Sequence, residues 1–249
     1  MMKLWRCSKD QNKSIQVRNL KIPYRVEHRD VKHPRIEVKP DKDVLVILPP
    51  DASSPEELLE EHKGWVQEKI STIDEMISEL GLDDEEIEEK LILFGDAYNL
   101  KLEDGAYDIS IENGSVEVSA PRDVDGLVHF RNWLREELRD KLTDFSEALA
   151  SEVEVEYNKL YIRSQKTKWA SCSSKGNLSF NLRAAILPRE LMKHLVLHEL
   201  IHLKKSKRDK EFWKLIGRYH PDYEEKEESL VRYWFLAHKN KPWNKIIGK

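Results

Sequence analysis

Cysteine is scarce in this 249-residue chain, which contains only Cys7 and Cys172. Two thiols so far apart in sequence cannot build a disulfide framework or a thiolate zinc site by themselves. No apolar run approaches the roughly 20 residues that a membrane span requires. The charged N-terminal sequence MMKLWRCSKDQNK lacks the apolar core of a secretory signal. These absences predict a protein of the reducing cytoplasm without a membrane partner.

A large excess of one charge sign is also missing. The 42 Lys and Arg residues nearly balance the 46 Asp and Glu residues, which gives a net charge of −4. A basic excess is the usual electrostatic footprint of a nucleic-acid-binding protein, so the composition does not favour nucleic acid as a partner. Charged residues at 35% and hydrophobic residues at 39% are typical of a globular protein with a core of its own.

Secondary-structure signals occur in the order strands, helix, strands and then helices. Residues 22–50 carry strand patterns, residues 51–80 a helix pattern that Ser54 and Pro55 begin, and the acidic segment 81–90 has the composition of a solvated connection. Helical periodicity dominates from residue 126 onwards. We therefore expect an α+β fold. We also expect two regions, a β-rich one with one long helix over residues 1–121 and a mainly helical one over residues 122–249.

The segment LVLHELIHLKKSKRDKEFW, residues 195–213, has two histidines four residues apart. Residues i and i+4 lie on the same face of a helix, so His198 and His202 can present their imidazoles to one ion. Glu199 lies about 100° around the helix, where it reaches water rather than the ion. Zinc lowers the pKa of a bound water to about 7, and a carboxylate can take its proton during attack on a carbonyl. The pattern predicts Zn²⁺ held by His198 and His202, with Glu199 as general base.

The same pattern also arises by chance in amphipathic helices. Here it lies in a strongly apolar stretch, where burial of two histidines and a glutamate without compensation would cost several kcal/mol. A metal ion supplies that compensation, which favours the metal interpretation. His194 continues the row one turn earlier. It is too far from His202 in a straight helix to share the ion, so it is expected to support the site.

Several ordered segments resemble the YgjP-like zincin metallopeptidases, a family of metal-dependent hydrolases. The resemblance rests on KTKWASCSSKGNLSFNLRAAILP, LVLHELIHL, EFW and HPDYEE, and upstream on IEVKPDKDVLVILPP, HKGWVQEKI and FGDAYNLKL. It covers residues 22–235 and implies a zincin-like catalytic half with its HExxH helix packed on a small sheet. It also implies that His198 and His202 bind the metal and that Glu199 is the general base.

The sequence departs from that family at one expected ligand. The family usually has a third ligand histidine where this chain has Arg208. Arginine cannot ligate a metal, and its charge opposes a nearby cation. Asp209 lies one residue from the expected place and is our first candidate for the third ligand. Glu211, His220 and water are the alternatives.

The segment 166–181 supplies candidate substrate contacts. In a functional interpretation this segment lines a cleft, where Lys166 contacts a polar or anionic substrate beside Trp169, Ser171 and Cys172, and Asn181 orients a ligand or a substrate backbone. In a structural interpretation the tryptophan and the cysteine simply pack in a tight turn. A nucleophilic role for the cysteine would require an activating histidine nearby.

A zinc-dependent hydrolase of the metallopeptidase type, acting on a peptide or another small hydrolysable substrate, is the leading hypothesis. One alternative keeps the metal but hydrolyses a nucleotide phosphoanhydride, with Lys166, Lys168 and Arg183 holding phosphates. A second alternative is a degenerate zincin that acts as a binding or scaffold module, on DNA for example, through the basic run KKSKRDK. Arg208 favours the degenerate form, and the net negative charge opposes a DNA-binding role.

Overall fold

The computed structural model describes residues 13–17, 20–38, 44–50, 54–79 and 84–248. The chain divides into two compact units, Met1–Asp83 and Asp84–Lys249. Within the described ranges, no helix combines the length and apolar character that crossing a bilayer demands. All the candidate site residues lie in the second unit.

The first unit consists of a four-stranded sheet and two helices. Its elements are β1 (Lys13–Val17), β2 (Leu20–His28), β3 (Arg35–Val38), β4 (Val44–Leu48), α1 (Pro55–Glu61) and α2 (Lys63–Glu79). The strand order is β1-β2-β4-β3, with β2 and β4 parallel and the other pairs antiparallel. Strand β4, with sequence VLVIL, is buried along its whole length because it lies inside the sheet. The predicted helix start is confirmed, since the Ser54 side chain accepts a hydrogen bond from the N–H of Glu57.

A second four-stranded sheet opens the second unit. Its elements are α3 (Asp84–Glu89), β5 (Leu91–Leu93), β6 (Asp96–Asp104), β7 (Asp108–Glu112) and β8 (Ser115–Ala120), in the strand order β5-β6-β8-β7. The predicted connection over residues 81–90 is wrong where it is described, because residues 84–89 form a helix. Glutamate has a high helix propensity, and Lys241 pairs with Glu88 and Glu89 of this helix at 3.4 and 2.5 Å.

The rest of the second unit is mainly helical and contains the motif helix. It contains α4 (Gly126–Val153), β9 (Leu160–Arg163), β10 (Ala170–Cys172), β11 (Leu178–Asn181), the 3-10 helix η1 (Leu182–Ile186), α5 (Arg189–Lys204), α6 (Lys210–Tyr219), α7 (Tyr223–Lys239) and α8 (Lys241–Ile247). Strand β11 is the centre of a three-stranded sheet, antiparallel to β10 and parallel to β9. Helix α5, which carries the HExxH motif, packs on β10 and on α4. This confirms the expected α+β fold with the motif helix on a small sheet.

Helix α5 is almost entirely buried because elements surround it on several sides. Besides β10 and α4, it contacts α6 and α7. The long helix α4 contributes an apolar stripe that repeats every three or four residues, formed by Phe130, Leu134, Leu138, Leu142 and Phe145. The polar residues of the motif are therefore embedded in an apolar core.

The observed division lies earlier in the chain than the expected boundary at residues 121 and 122. Strands β6 and β8 pack against α4, and β5 packs against η1 and α8, so this sheet belongs to the second compact unit. The predicted boundary between residues 121 and 122 stays a prediction about which region carries the function, since every candidate site residue lies after it.

The turn between β5 and β6 anchors the start of the motif helix. Phe94 and Gly95 both have positive φ, at 53° and 95°. Their N–H groups donate to the carbonyl oxygens of Ala185 and Ile186 in η1, at 2.6 and 3.2 Å. A Cβ at position 95 would lie 2.8 Å from the Cβ of Pro188, the residue that begins α5. Glycine is therefore required here by contact as well as by conformation.

We expect Gly95→Ala to destabilise the protein more than Gly114→Ala. Gly114 also has a positive φ, of 72°, but nothing lies within 4 Å of a Cβ built there. The shared backbone strain costs about 1–2 kcal/mol at each position, and overpacking against Pro188 adds about 1–3 kcal/mol at Gly95. Urea unfolding followed by circular dichroism measures the difference. Equal losses of unfolding free energy in the two variants would show that the contact with Pro188 does not add to the cost of a Cβ at position 95.

Candidate metal centre

Helix α5 brings His198, Glu199 and His202 together at its centre. His198 is 3% exposed and Glu199 is 2% exposed, and the rings of His198 and His202 have centroids 5.2 Å apart. Phe212, fully buried in α6, packs against both imidazoles with centroid distances of 5.0 and 4.7 Å. The EFW segment of the sequence therefore contributes a ring that supports both histidines.

Two buried polar atoms at this centre have no hydrogen-bond partner among the described residues, His198 Nε2 and Glu199 Oε2. Each unsatisfied buried group costs about 1–3 kcal/mol. His202 Nδ1 donates to the carbonyl oxygen of Lys205 at 3.1 Å, so its Nε2 carries the lone pair of the neutral ring. The nearest donor to that nitrogen is Arg208 Nε at a long 3.5 Å. The Nε2 atoms of both histidines are thus unprotonated and fit a cation.

Glu227, on α7, determines the orientation of His198. One of its oxygens, Oε1, accepts from His198 Nδ1 and from His194 Nε2, each at 2.9 Å. Burial raises the pKa of Glu227, but the hydrogen bonds from the two histidines outweigh it and lower the pKa to about 2. The carboxylate is therefore ionised, and His198 keeps its proton on Nδ1.

The hydrogen-bonded chain extends one residue further, to His220. His194 already donates through Nε2, so its Nδ1 accepts from His220 Nδ1 at 3.0 Å. Burial lowers the pKa of His220 to about 4, with a contribution from Lys226, so the ring is neutral. His194 thus contacts the site through Glu227, in keeping with the supporting role expected for it.

A second set of possible ligands overlaps the first. One ligand atom each from His194, His198 and Glu227 lie within 4.8 Å of one another. Among the described residues, this is the group of three that could hold an ion, and it includes neither His202 nor Asp209. In this set the nitrogens are already hydrogen-bonded to the carboxylate, whereas on the opposite edge of His198 the Nε2 atom has no partner.

Two of the candidates for a third ligand have other roles in the structure, and a third, Glu211, is exposed. Asp209 is the N-cap of α6, and its Oδ1 accepts from the N–H groups of Glu211 and Phe212 at 3.1 Å each. His220 ends the same helix and contacts His194. Asp209 as a third ligand stays a prediction that competes with its capping role.

Glu199 has the environment of a group that exchanges a proton at neutral pH. Burial raises the pKa of Glu199 to about 7, although the positive charge of Arg208 and a hydrogen bond from the backbone N–H of Cys172 oppose the rise. A general base is most effective when its pKa lies near the working pH. The edge strand β10 therefore holds one side of the carboxylate, and Oε2 stays available on the other.

The predicted substrate contacts in the segment 166–181 divide into framework and cleft residues. Asn181 is fully buried, and its Nδ2 donates to the carbonyl oxygens of Gln165 and Lys168 at 2.8 and 2.9 Å. Trp169 Nε1 donates to the carbonyl oxygen of Leu230 at 2.9 Å, and its ring packs edge-on against Trp234. Asn181 thus holds the segment in place, and Trp169 joins it to α7.

Two cavities flank Glu199. The first, of about 280 Å³, is largely apolar, with Trp169, Leu195, Leu230, Val231, Trp234 and Phe235 in its wall. The second, of about 370 Å³, is polar, with Ser171, Cys172, Ser173, Ser174 and Ser206 in its wall. Lys168, Ala170, Glu199 and Arg208 line both cavities. Lys166 is exposed and lines neither of them.

Arg183 does not face this cleft. It is 1% exposed in η1, and its Nε and Nη2 atoms are buried without a hydrogen-bond partner among the described residues. Burial lowers the pKa of its guanidinium. A phosphate from solvent cannot reach such a group, so only Lys166 and Lys168 remain from the three cations of the nucleotide alternative.

Glu227 is the functional residue that sequence reasoning missed. It lies in the acidic run YEEKEES, which has the composition of a solvated helix face. A signal was present in the spacing, because Tyr223, Glu227, Leu230 and Trp234 recur at helical intervals on the less exposed face of α7. Among the glutamates of the run, Glu227 is the one on that face.

Comparisons with known proteins relate this chain to metallopeptidases. Over residues 32–233 the sequence matches the YgjP-like metallopeptidase domain. Crystal structures of two metallopeptidase zymogens are similar, each with a TM-score of 0.34 and 23% identity. Abylysin of Pyrococcus abyssi aligns with 36% of this chain and 91% of its own, and jannalysin of Methanocaldococcus jannaschii with 37% and 88%. No curated protein sequence matches the chain.

We expect the Cys172 thiol to be unreactive. Burial, with a contribution from the charge of Glu199, raises its pKa from 9.0 to about 11. At pH 7 its thiolate fraction is then about 100-fold smaller than that of an ordinary thiol. In a Cys7→Ser background, alkylation by iodoacetamide should be slower by this factor than that of a small cysteine peptide, and should accelerate with rising pH. Alkylation at the ordinary rate would contradict the assignment and reopen the nucleophile hypothesis.

Proposed function

This chain belongs to the YgjP-like metallopeptidase family, and we propose that it is a zinc-dependent peptidase with His198, Glu199 and His202 at its centre. The observation that carries the proposal is the pair of unpartnered buried atoms, His198 Nε2 and Glu199 Oε2, on adjacent residues of α5. The large majority of buried polar side-chain atoms in native proteins have a hydrogen-bond partner. A cation on the histidine and a water on the carboxylate would satisfy both.

The side chains of the centre have complementary tasks. His198 and His202 would hold the cation through Nε2. Glu227 keeps the proton of His198 on Nδ1, as carboxylates commonly do for metal-binding histidines. A bound divalent cation would polarise the substrate carbonyl and make water nucleophilic at neutral pH. Glu199, whose pKa lies near 7, would take the proton of that water and pass it to the leaving amine.

The geometry of β10 supports a peptide as substrate. Trp169 and Ser173 form backbone hydrogen bonds with Asn181 and Asn177, on the side of β11. In an antiparallel pair the bonded positions alternate, so the backbone groups of Ala170 and Cys172 face the open edge of the strand. An extended peptide can add to such an edge by main-chain hydrogen bonds. This edge lies beside Glu199, which accepts from the N–H of Cys172.

Arg208 affects the strength of the proposed centre. It occupies the place of the family's third histidine, so the ion would be held by two protein nitrogens, with Asp209 or water completing the site. We therefore expect weaker zinc binding than in a three-histidine site. We also propose a cytoplasmic location, which the scarcity of cysteine supports.

Zinc content distinguishes the two possible ligand sets. The purified protein should bind about one zinc per chain after reconstitution, as measured by inductively coupled plasma mass spectrometry. His198→Ala and His202→Ala should lose the ion, whereas His194→Ala should retain it with lower affinity. Retention of zinc in His202→Ala together with its loss in His194→Ala would place the ion between His194, His198 and Glu227. A wild-type protein that binds no zinc would contradict the proposal.

Activity tests the role of Glu199 separately from metal binding. Glu199→Gln should retain zinc but hydrolyse casein-derived peptides about 10²–10⁴ times more slowly, because the general base is lost. Glu190→Gln is a matched control, since Glu190 is exposed on the same helix and bonds only Lys193 among the described residues. It should behave as wild type.

The alternatives predict other outcomes of the same assay. Hydrolysis of nucleoside triphosphates, with no peptide cleaved, would favour the nucleotide alternative. A zinc-loaded protein without turnover on either substrate class would favour the scaffold module.

A further inference from the structure

Arg208 and Lys168 are exposed, and neither forms an ion pair among the described residues. The hydrogen-bond contact of Arg208 is a long one, 3.5 Å from Nε to His202 Nε2. Its other N–H donors are therefore open to a ligand beside the candidate centre.

The two cavities meet at this cation. Lys168 and Arg208 line both of them, together with Glu199. Any ligand that extends from the apolar cavity across Glu199 into the serine-lined cavity must pass both positive charges. The carboxylate of Glu199 lines the same two cavities and that of Glu227 lines the first, so the two cations are the groups at this junction that can donate to an anionic ligand.

We propose that Arg208 and Lys168 bind a carboxylate of the substrate next to the scissile bond, while the apolar cavity takes a large hydrophobic side chain. The enzyme then selects peptides that carry an aromatic or aliphatic residue close to a carboxylate. This inference rests on the proposed peptidase function. It makes Arg208 a specificity residue in the place where relatives have a metal ligand.

Electrostatics favours this assignment over a purely structural role for Arg208. An arginine held beside a metal site raises the energy of the bound cation, since like charges repel. A substrate carboxylate would relieve that repulsion when it binds. Its planar group also matches the two parallel N–H donors of a guanidinium. Lys168 adds a second donor in the lining of both cavities, on the segment that Asn181 holds in place.

The apolar cavity has the shape of a pocket for one side chain. Its volume of about 280 Å³ is bounded by Trp169 and Trp234, whose rings meet edge to face with centroids 4.9 Å apart. Val231, which also lines it, is 44% exposed in the free protein. Burying this apolar surface against an aromatic side chain of the substrate is favourable. The pocket would therefore contribute binding affinity, and the two cations would contribute selectivity for peptides with a carboxylate.

Matched peptides test the inference with purified zinc-loaded protein. Each peptide has eight residues, blocked ends, one phenylalanine, one Glu and otherwise uncharged residues. Across the set, the Glu occupies a different position in each peptide, before or after the phenylalanine. The reference peptides have Gln at the same position. Mass spectrometry gives the cleavage site and kcat/KM. We expect the best Glu peptide to exceed its Gln partner about tenfold, the size of a charged hydrogen bond.

Variants assign the preference to its residue. Arg208→Gln should bring the ratio of kcat/KM between Glu and Gln peptides close to one, and Arg208→Lys should retain part of it. Lys168→Gln should lower the ratio. Lys207→Gln removes a neighbouring exposed cation that lines neither cavity, and it should leave the ratio unchanged. A wild-type ratio near one, or a preference that survives in Arg208→Gln, would overturn the inference.

The source of the carboxylate is decided by a second peptide pair. A Gln peptide with a free C-terminus is compared with the same peptide amidated, with the phenylalanine placed near the end. A preference for the free end alone identifies the terminal carboxylate, and a preference for internal Glu alone identifies the side chain. Either result supports the inference, whereas no preference in both pairs contradicts it.

Calorimetric binding separates this inference from the proposed function. Titration of the wild-type protein with the Glu and Gln peptides needs no turnover. Tighter binding of the Glu peptide, lost in Arg208→Gln, would support the carboxylate site even if no peptide is hydrolysed, a result that would refute the peptidase proposal alone. Equal binding of both peptides would refute the carboxylate site and leave the peptidase proposal intact.

Discussion

The burial of polar groups on helix α5 is the constraint on which the rest of the second unit depends. His194, His198 and Glu199 lie in a helix whose other residues form the core. Each polar atom that loses water needs a partner, or it destabilises the fold. Glu227 of α7 and the backbone N–H of Cys172 in β10 supply part of that compensation. The surrounding elements are thus positioned by hydrogen bonds as well as by apolar packing.

The hydrogen bonds also determine which edge of each imidazole ring is open to a ligand. Because Glu227 binds the Nδ1 edge of His198, the Nε2 edge is left facing the cleft. The carbonyl oxygen of Lys205 has the same effect on His202. Neither ring has a choice of tautomer while these acceptors stay in place. A metal centre proposed at the two Nε2 atoms therefore needs no change of tautomer in either histidine.

Local sequence patterns were sufficient to predict most of the helices and strands, but not which residues of different elements contact one another. The apolar spacing of α4 and the cap at Ser54 depend on neighbouring residues, so the sequence alone predicts them. The HExxH spacing likewise predicts that His198 and His202 share a face. Glu227 could not be predicted as their neighbour, because its contact joins positions 29 residues apart and depends on how α7 packs. The helical spacing of α7 indicates which glutamate of the acidic run lies on the less exposed face, but it carries no information about what that glutamate contacts.

The substrate segment shows the opposite difficulty, since its pattern was visible but its roles were not. Asn181 lies in the predicted cluster, yet its amide bonds two carbonyls of the protein and leaves little capacity for a ligand. The residues it positions are those that face the cleft, Lys168 above all. Polar residues near an active centre are needed to build the loop before they can contact a substrate, and sequence cannot distinguish the two uses.

Arg208 links the electrostatics of the centre to the cation and the substrates that the centre would bind. A histidine at this position would add a neutral ligand and hold the ion more tightly. Arginine adds a charge that cannot be removed at any relevant pH. That charge opposes the rise in the pKa of Glu199 and so keeps more of this carboxylate ionised at neutral pH. In the proposed centre, an arginine here would therefore weaken the hold on a cation and favour the ionised form of Glu199, and a substrate carboxylate bound at Arg208 would shift that balance back.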